Sequence, residues 1–282
     1  MTADSARDTF EPMSELIRVE HVVLEPGREV ARLTLNRPEV RNALTRRTVQ
    51  ELRRAFDKAA LDPAVRVLVL SGSGDGERAS FCAGADLRTG FSEDPEMLEN
   101  LEFYLDDFHG LIRSIWNVPK PVVARVDGAA AGFGCDLALA CDLRVCSERA
   151  YFQESFSRIG LLPDGGGTLS LARLVGLGVA KEMIFLASKI EARRALDLGI
   201  ATRVVPADGL DQELDAIVKH LADGPPMALA RAKRAMHASL GVSIDDVLAR
   251  ERAYQLECLR SQDAIEGVMA WTQKRPPHFQ GK

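Results

Sequence analysis

An α/β fold is what this sequence predicts, and three observations predict it. Short apolar runs that read as buried strands recur along the first two hundred residues, in a strand-strand-helix rhythm with segments of helical apolar spacing. One such run, Pro121-Val-Val-Ala-Arg-Val126, enters a glycine-rich turn and then the helical pattern of Cys135, Leu137, Ala138, Leu139 and Ala140. From residue 207 onward, helical patterns follow one another to the end.

With 282 residues the chain holds one large domain, or a domain plus a smaller appendage, and 46% hydrophobic residues suffice for a sizeable core. The net charge of −5 is spread out and no long basic block occurs, so nothing favours nucleic acid. Five cysteines show no CxxC pair and no metal spacing. An odd count inside apolar segments reads as reduced, buried thiols, which makes a cytoplasmic location the expectation. The start, MTADSARDTFEPMSEL, is acidic and lacks the apolar stretch of a signal peptide, so residues 1–15 are expected to be a flexible leader. No run of 18 apolar residues predicts a membrane span.

The elements follow in order. Ile17 to Leu24 and Val30 to Leu35 read as strands of a hairpin turning at Pro26-Gly27. Asn36 and Pro38 end the second, and Asn42 precedes a helix from about Thr45 to Leu61 carrying Val49, Leu52, Ala55, Phe56 and Ala59 at helical spacing. Val65 to Leu70 is a strand and residues 71–76 a loop. Phe91 to Trp116 begins acidic, as a mobile lid would, and becomes helical. Leu143 to Cys146, Ala150 to Phe152 and Val204-Val205 are short strands. The remaining helices are placed at about 168–175, 178–187, 191–198, 207–222, 226–239, 243–260 and 262–273.

Two segments carry candidate chemistry. In Gly128-Ala-Ala-Ala-Gly-Phe-Gly-Cys-Asp136 the glycines mark a strand-to-helix turn, and the first helical N–H groups have no partner within the helix. Those groups and the helix dipole favour a negative oxygen, so Phe133 offers a donor with Asp136 three residues on, roughly the same helix face. A first-turn aspartate also serves the dipole alone. In Phe81-Cys-Ala-Gly-Ala-Asp-Leu87, Gly84 permits an unusual turn and small side chains leave the Ala85 N–H accessible; a plain loop after a strand reads the same way. Asp164, ahead of three glycines, suits a turn.

Taken with Leu35-Asn-Arg-Pro38 and Asn42-Ala-Leu44, the FCAGADL, GFGCDLALACD and GLLPDGGGT segments resemble the enoyl-CoA hydratase/isomerase family, also called the crotonase family, from about residue 17 to 279. The resemblance implies a crotonase-like spiral of β-β-α units over residues 16–206 and a helical C-terminal trimerisation region over 207–282. It implies a homotrimer or a dimer of trimers, an acyl-CoA thioester as substrate, and no metal or further cofactor. Ala85 and Phe133 match the oxyanion hole. Arg41, Ala43, Ala83, Asp86, Leu87, Arg88, Trp271 and Lys274 match CoA-binding positions, the last two toward a neighbouring subunit. Trp116, Phe156 and Leu161 are expected around the acyl group.

The chain departs from the family's hydratases, which use two glutamates. Asp136 stands at the first position, one methylene shorter, and Phe156 stands at the second. Asp164 falls where some family isomerases keep a catalytic aspartate. Glu154 is a possible substitute for the missing carboxylate, though it reads more simply as exposed at a strand end. One carboxylate can move a proton between two carbons, whereas adding water usually needs a second group. The pattern therefore resembles the double-bond and ring-opening isomerases of phenylacetate degradation, with Asp136 as proton shuttle and Asp164 as the second catalytic residue. Hydration of a trans-2-enoyl-CoA, and a decayed CoA-binding protein, are the alternatives. A serine or cysteine hydrolase finds no support, because none of the five histidines is placed to pair with a nucleophile.

Overall fold

The computed structural model describes residues 15–88, 100–239 and 241–282. The lid expected in the first half of the 91–116 segment, and the leader up to residue 14, lie outside them.

The strands are β1 (Ile17–Glu25), β2 (Arg28–Leu35), β3 (Val65–Gly72), β4 (Ser80–Cys82), β5 (Val122–Val126), β6 (Ala129–Ala131), β7 (Leu143–Ser147), β8 (Tyr151–Gln153), β9 (Ile190–Glu191) and β10 (Arg203–Val205). They form two sheets. The larger has the order β1-β2-β3-β5-β7-β10, with β1 and β2 as an antiparallel hairpin and the other pairs parallel. The smaller has the order β4-β6-β8-β9. Successive strands alternate between the sheets: β3, β5 and β7 go to the larger, and β4, β6 and β8 to the smaller. Each pair is followed by a helix, which is the expected spiral of strand-strand-helix turns.

Strand periodicity explains why the larger sheet is covered on both faces. Side chains alternate, so Leu68 and Leu70 of β3 face the core that includes Phe81 and Phe152, while Val67 and Val69 face the other way. The second face is closed by Leu210, Leu214 and Val218 of the helix Leu210–Ala222. Fully burying each of these side chains contributes about 1.5–3 kcal/mol.

Helix α1 (Arg46–Leu61) starts where Thr45 accepts a hydrogen bond from the Thr48 N–H, and it buries the expected stripe of Val49, Leu52, Ala55, Phe56 and Ala59. Helix α2 (Leu101–Asn117) packs against it. Helix α3 (Phe133–Ala140) is buried at all eight positions, so its one charged residue, Asp136, is carried inside with it. Helix α4 (Gly167–Leu186) is broken at Gly176, where φ is 72°, matching the two helices expected there. Helices α5 (Ala192–Asp197), α6 (Leu210–Ala222), α7 (Pro226–His237), α8 (Ile244–Leu259) and α9 (Gln262–Gln273) complete the chain. No helix among the described residues is long and apolar enough to cross a membrane. Cys82, Cys135, Cys141 and Cys146 are free and buried, and Cys258 is free and half-buried.

Candidate active site

The two glycine-bearing segments meet. Leu44 forms a parallel bridge with Ala85: its N–H donates to the Gly84 carbonyl and its carbonyl accepts from the Asp86 N–H, both at 2.8 Å. That ladder turns the N–H of Ala85 to the opposite side. There Gly84, at φ 102°, lies against the turn into α3; a Cβ on Gly84 would stand 2.9 Å from the Ala131 oxygen and 3.3 Å from the Phe133 nitrogen. Among the described residues neither the Ala85 nor the Phe133 N–H donates a hydrogen bond within the chain. Both residues line one cavity of 610 Å³.

The loop behind this meeting point is held by a polar cluster. Asn42, buried and at φ 56°, donates to the Ser73 and Ser80 carbonyls and accepts from the Arg37 N–H. Arg37 donates to the Ala43 carbonyl at 2.8 Å and to Asp86 Oδ2 at 2.9 Å. Asp86, expected at a CoA-binding position, is buried with its carboxylate paired to Arg37, so it latches the two segments together. Asn42 reads from sequence only as a residue before a helix; its role emerges because its amide reaches three separate segments.

The cavity wall is largely apolar: Tyr104 and Phe108 of α2, Phe133, Phe156 and the exposed Ile159, Leu161 and Leu162. Tyr104 stacks on Phe108, which meets Phe133 edge-on. Ala83 and Leu87 also line it, as do Ser155 and Arg158, which sequence reasoning did not single out. Arg41 and Arg88 are exposed at the ends of the two paired segments, and Ala43 is half-buried between. Trp271 and Lys274 belong to the end of α9 and do not line the cavity.

Trp116 is a correction. It was expected around the acyl group, yet it lines a separate cavity with Lys233, Arg234 and His237, and its indole stacks on the His237 ring at 3.9 Å. It lies eight residues beyond Phe108 on α2, about 12 Å along a helix axis, and so points at α7 rather than at the site.

The carboxyls sort themselves unexpectedly. Asp164 is in the cavity wall and half-buried; burial pushes its carboxyl up, while the charge of His109 on α2 opposes that. Asp136 is not in the wall. It is fully enclosed, its Oδ2 accepting from the Gly165 N–H at 2.8 Å, and burial pushes it up to about 7. Glu154, read from sequence as exposed, is fully enclosed beside Asp136. A cluster with metal-ligand spacing, His21, Glu29 and Asp62, none of which lines the cavity, is an ordinary His21–Glu29 contact at 3.0 Å.

Comparison with known proteins finds relatives along nearly the whole chain. The enoyl-CoA hydratase/isomerase family profile matches residues 25–282. A probable enoyl-CoA hydratase of Rhodobacter capsulatus is 42% identical, over 90% of this chain and 95% of that protein. The 1,2-epoxyphenylacetyl-CoA isomerase of Escherichia coli is 34% identical, over 94% of this chain and its whole length. The crystal structure of a putative enoyl-CoA hydratase from Streptomyces coelicolor superposes with a TM-score of 0.87 at 31% identity, covering 100% of both chains. With two alternating sheets, two unpaired main-chain donors at one apolar cavity and relatives matched end to end, the chain belongs to the enoyl-CoA hydratase/isomerase family of enzymes acting on CoA thioesters.

Proposed function

We propose that this enzyme shifts a double bond within the acyl part of an enoyl-CoA, through an enolate of the thioester. The observation that carries the reading is the cavity wall itself, where Asp164 is the one carboxyl among the described residues and Phe156, at the position where the resemblance puts a hydratase's second glutamate, lines the same wall. In this reading the Ala85 and Phe133 N–H groups receive the thioester oxygen as negative charge gathers on it, each such donor lowering the barrier by about 3–4 kcal/mol. Asp164 takes a proton from one carbon and returns it to another across the allylic system. The shuttle role expected of Asp136 passes to Asp164, because Asp136 is enclosed.

Arg41 and Arg88 would meet the CoA phosphates at the exposed mouth. Trp271 and Lys274 would meet the CoA of a neighbouring subunit, in a trimer or a pair of trimers. Exposed Ile244, Leu248, Leu259, Ile265 and Val268 on the C-terminal helices support such an assembly, since a monomer rarely leaves so many large apolar side chains in water. The free cysteines support a cytoplasmic site of action.

Hydration of a trans-2-enoyl-CoA is the second reading, favoured by relatives named crotonyl-CoA hydratase and short-chain-enoyl-CoA hydratase. Side-by-side assays with 3-enoyl-CoA and trans-2-enoyl-CoA separate the two. The expected result is isomerisation that drops about 10²–10⁴-fold in Asp164→Asn. Water addition at comparable rates, surviving in that variant, rejects the isomerase reading.

A further inference from the structure

Behind the cavity wall, Asp136 of α3 and Glu154 at the end of β8 are both 0% exposed. A Cβ on Gly167 would overlap Asp136 Oδ1 and stand 2.9 Å from Glu154 Oε1, so the two carboxyls occupy one small space over the glycine turn. The Gly165 N–H satisfies Asp136 Oδ2. Asp136 Oδ1 and both Glu154 oxygens have no partner at full hydrogen-bond geometry, the Gly167 N–H and the Cys135 thiol standing near them only as weaker donors. A buried polar atom left without a partner costs about 1–3 kcal/mol, and two enclosed negative charges side by side cost more. The titratable groups acting most strongly on the pair, besides each other, are Asp164 and Cys135, both acids; His109, on α2, acts on Asp164. One proton placed between the carboxyls turns an orphan acceptor into a donor and removes one of the two charges.

We propose that Asp136 and Glu154 hold one proton jointly, and that Glu154 is a positioning residue which keeps the pair at a single negative charge behind the site, leaving Asp164 as the carboxyl that exchanges protons with substrate. The last clause rests on the isomerase reading above; the shared proton does not.

The sign of the pH effect follows. Burial raises Asp136 to about 7 and Glu154 well above its ordinary range. The unfolded chain has released both protons by about pH 5, while the folded chain keeps one into the neutral range. The folded state then binds more protons, so the pair's contribution to stability is fully present below about pH 4 and is lost as pH rises through about 7.

Glu154→Gln tests this, because the amide offers Asp136 a fixed N–H at the same size and removes the titrating proton. Two readouts on the full chain need no activity: the carboxylic-acid C=O band in the infrared at neutral pH, and the urea midpoint as a function of pH. The wild-type protein is expected to keep the acid band and to lose stability across neutrality; Glu154→Gln and Asp136→Asn each lose both features. In Glu154→Gln the ionisation of the pair drops out of the kcat/KM profile while the acid limb that belongs to Asp164 stays, with KM unchanged. An absent wild-type band, or a band and slope that persist in the variants, overturns the proposal, and the wild-type spectrum decides if neither variant folds. Asp164→Asn keeps the band and slope while losing turnover, so failure of the shared proton and failure of the Asp164 assignment are told apart.

Discussion

Gly84→Ala probes the meeting of the two donor segments. The residue sits at φ 102°, outside the range that L side chains adopt readily, so alanine there costs about 1–3 kcal/mol in backbone strain. The new methyl adds crowding: at 2.9 Å from the Ala131 oxygen and 3.3 Å from the Phe133 nitrogen, it forces the turn into α3 to shift. The Phe133 N–H is then mispositioned. Full loss of one such donor costs about 10²–10³ in kcat, so a partial displacement is expected to lower kcat by roughly 10–100-fold. The KM for the CoA ester should change little if the exposed Arg41 and Arg88 hold the CoA phosphates as proposed, since both lie three or more residues from the changed position. Gly27→Ala is the control. It has φ 77° in the β1–β2 hairpin with nothing within 4 Å of its Cβ, so it carries strain of the same order without crowding. Steady-state kinetics and urea unfolding on both variants separate the terms. A Gly84→Ala enzyme with wild-type kcat and only the stability loss of Gly27→Ala would refute the convergence of the two amides on one oxygen.

Three further outcomes follow from the site. Asp86→Ala takes the carboxylate from the part-buried Arg37 guanidinium, which keeps the Ala43 carbonyl, and should cost about 1–3 kcal/mol in urea unfolding; a raised KM for the CoA ester at unchanged stability would make Asp86 a CoA contact rather than a latch. Trp116→Ala removes the stack on His237, worth about 1 kcal/mol, and should leave the acyl-chain preference untouched, whereas Phe156→Ala should alter it; turnover across a series of chain lengths reads both. Asp164 must be ionised to accept a proton, so kcat/KM should fall as pH drops through its raised pKa. Protonated His109 favours the carboxylate, hence His109→Gln should move that acid limb to higher pH, and a limb that stays put or moves down contradicts the contact.

The large sheet and the helices were legible because their residues carry periodicity: the stripe of α1, the apolar runs of β3 and β5, and the separate patterns either side of Gly176 all appear where expected. The small sheet was harder. Its strands β4, β6 and β9 are two or three residues long, and Ser80 to Cys82 or Ala129 to Ala131 bury too little to show a period against their glycine neighbours. The two glycine-bearing segments that meet at the cavity were legible, but not the latch beneath them, since Arg37, Asn42 and Asp86 are joined only by the fold. Glu154 is the instructive case. Read singly, a glutamate after a short strand belongs in water. Read with its neighbours, Tyr151-Phe-Gln-Glu-Ser-Phe156 alternates, and Phe152, Glu154 and Phe156 are the buried positions. The period of two thus puts the carboxyl, just past the end of β8, on the same inward face as Phe152, and the 3-10 turn Ser155–Ile159 then buries Phe156. What no period supplies is the partner, because Asp136 arrives on α3 and the space for both is cleared by Gly165 and Gly167. A charged residue on the apolar phase of a strand is therefore a signal to look for a second buried group, and here that group is an acid, which makes a proton the smallest thing that can bind them.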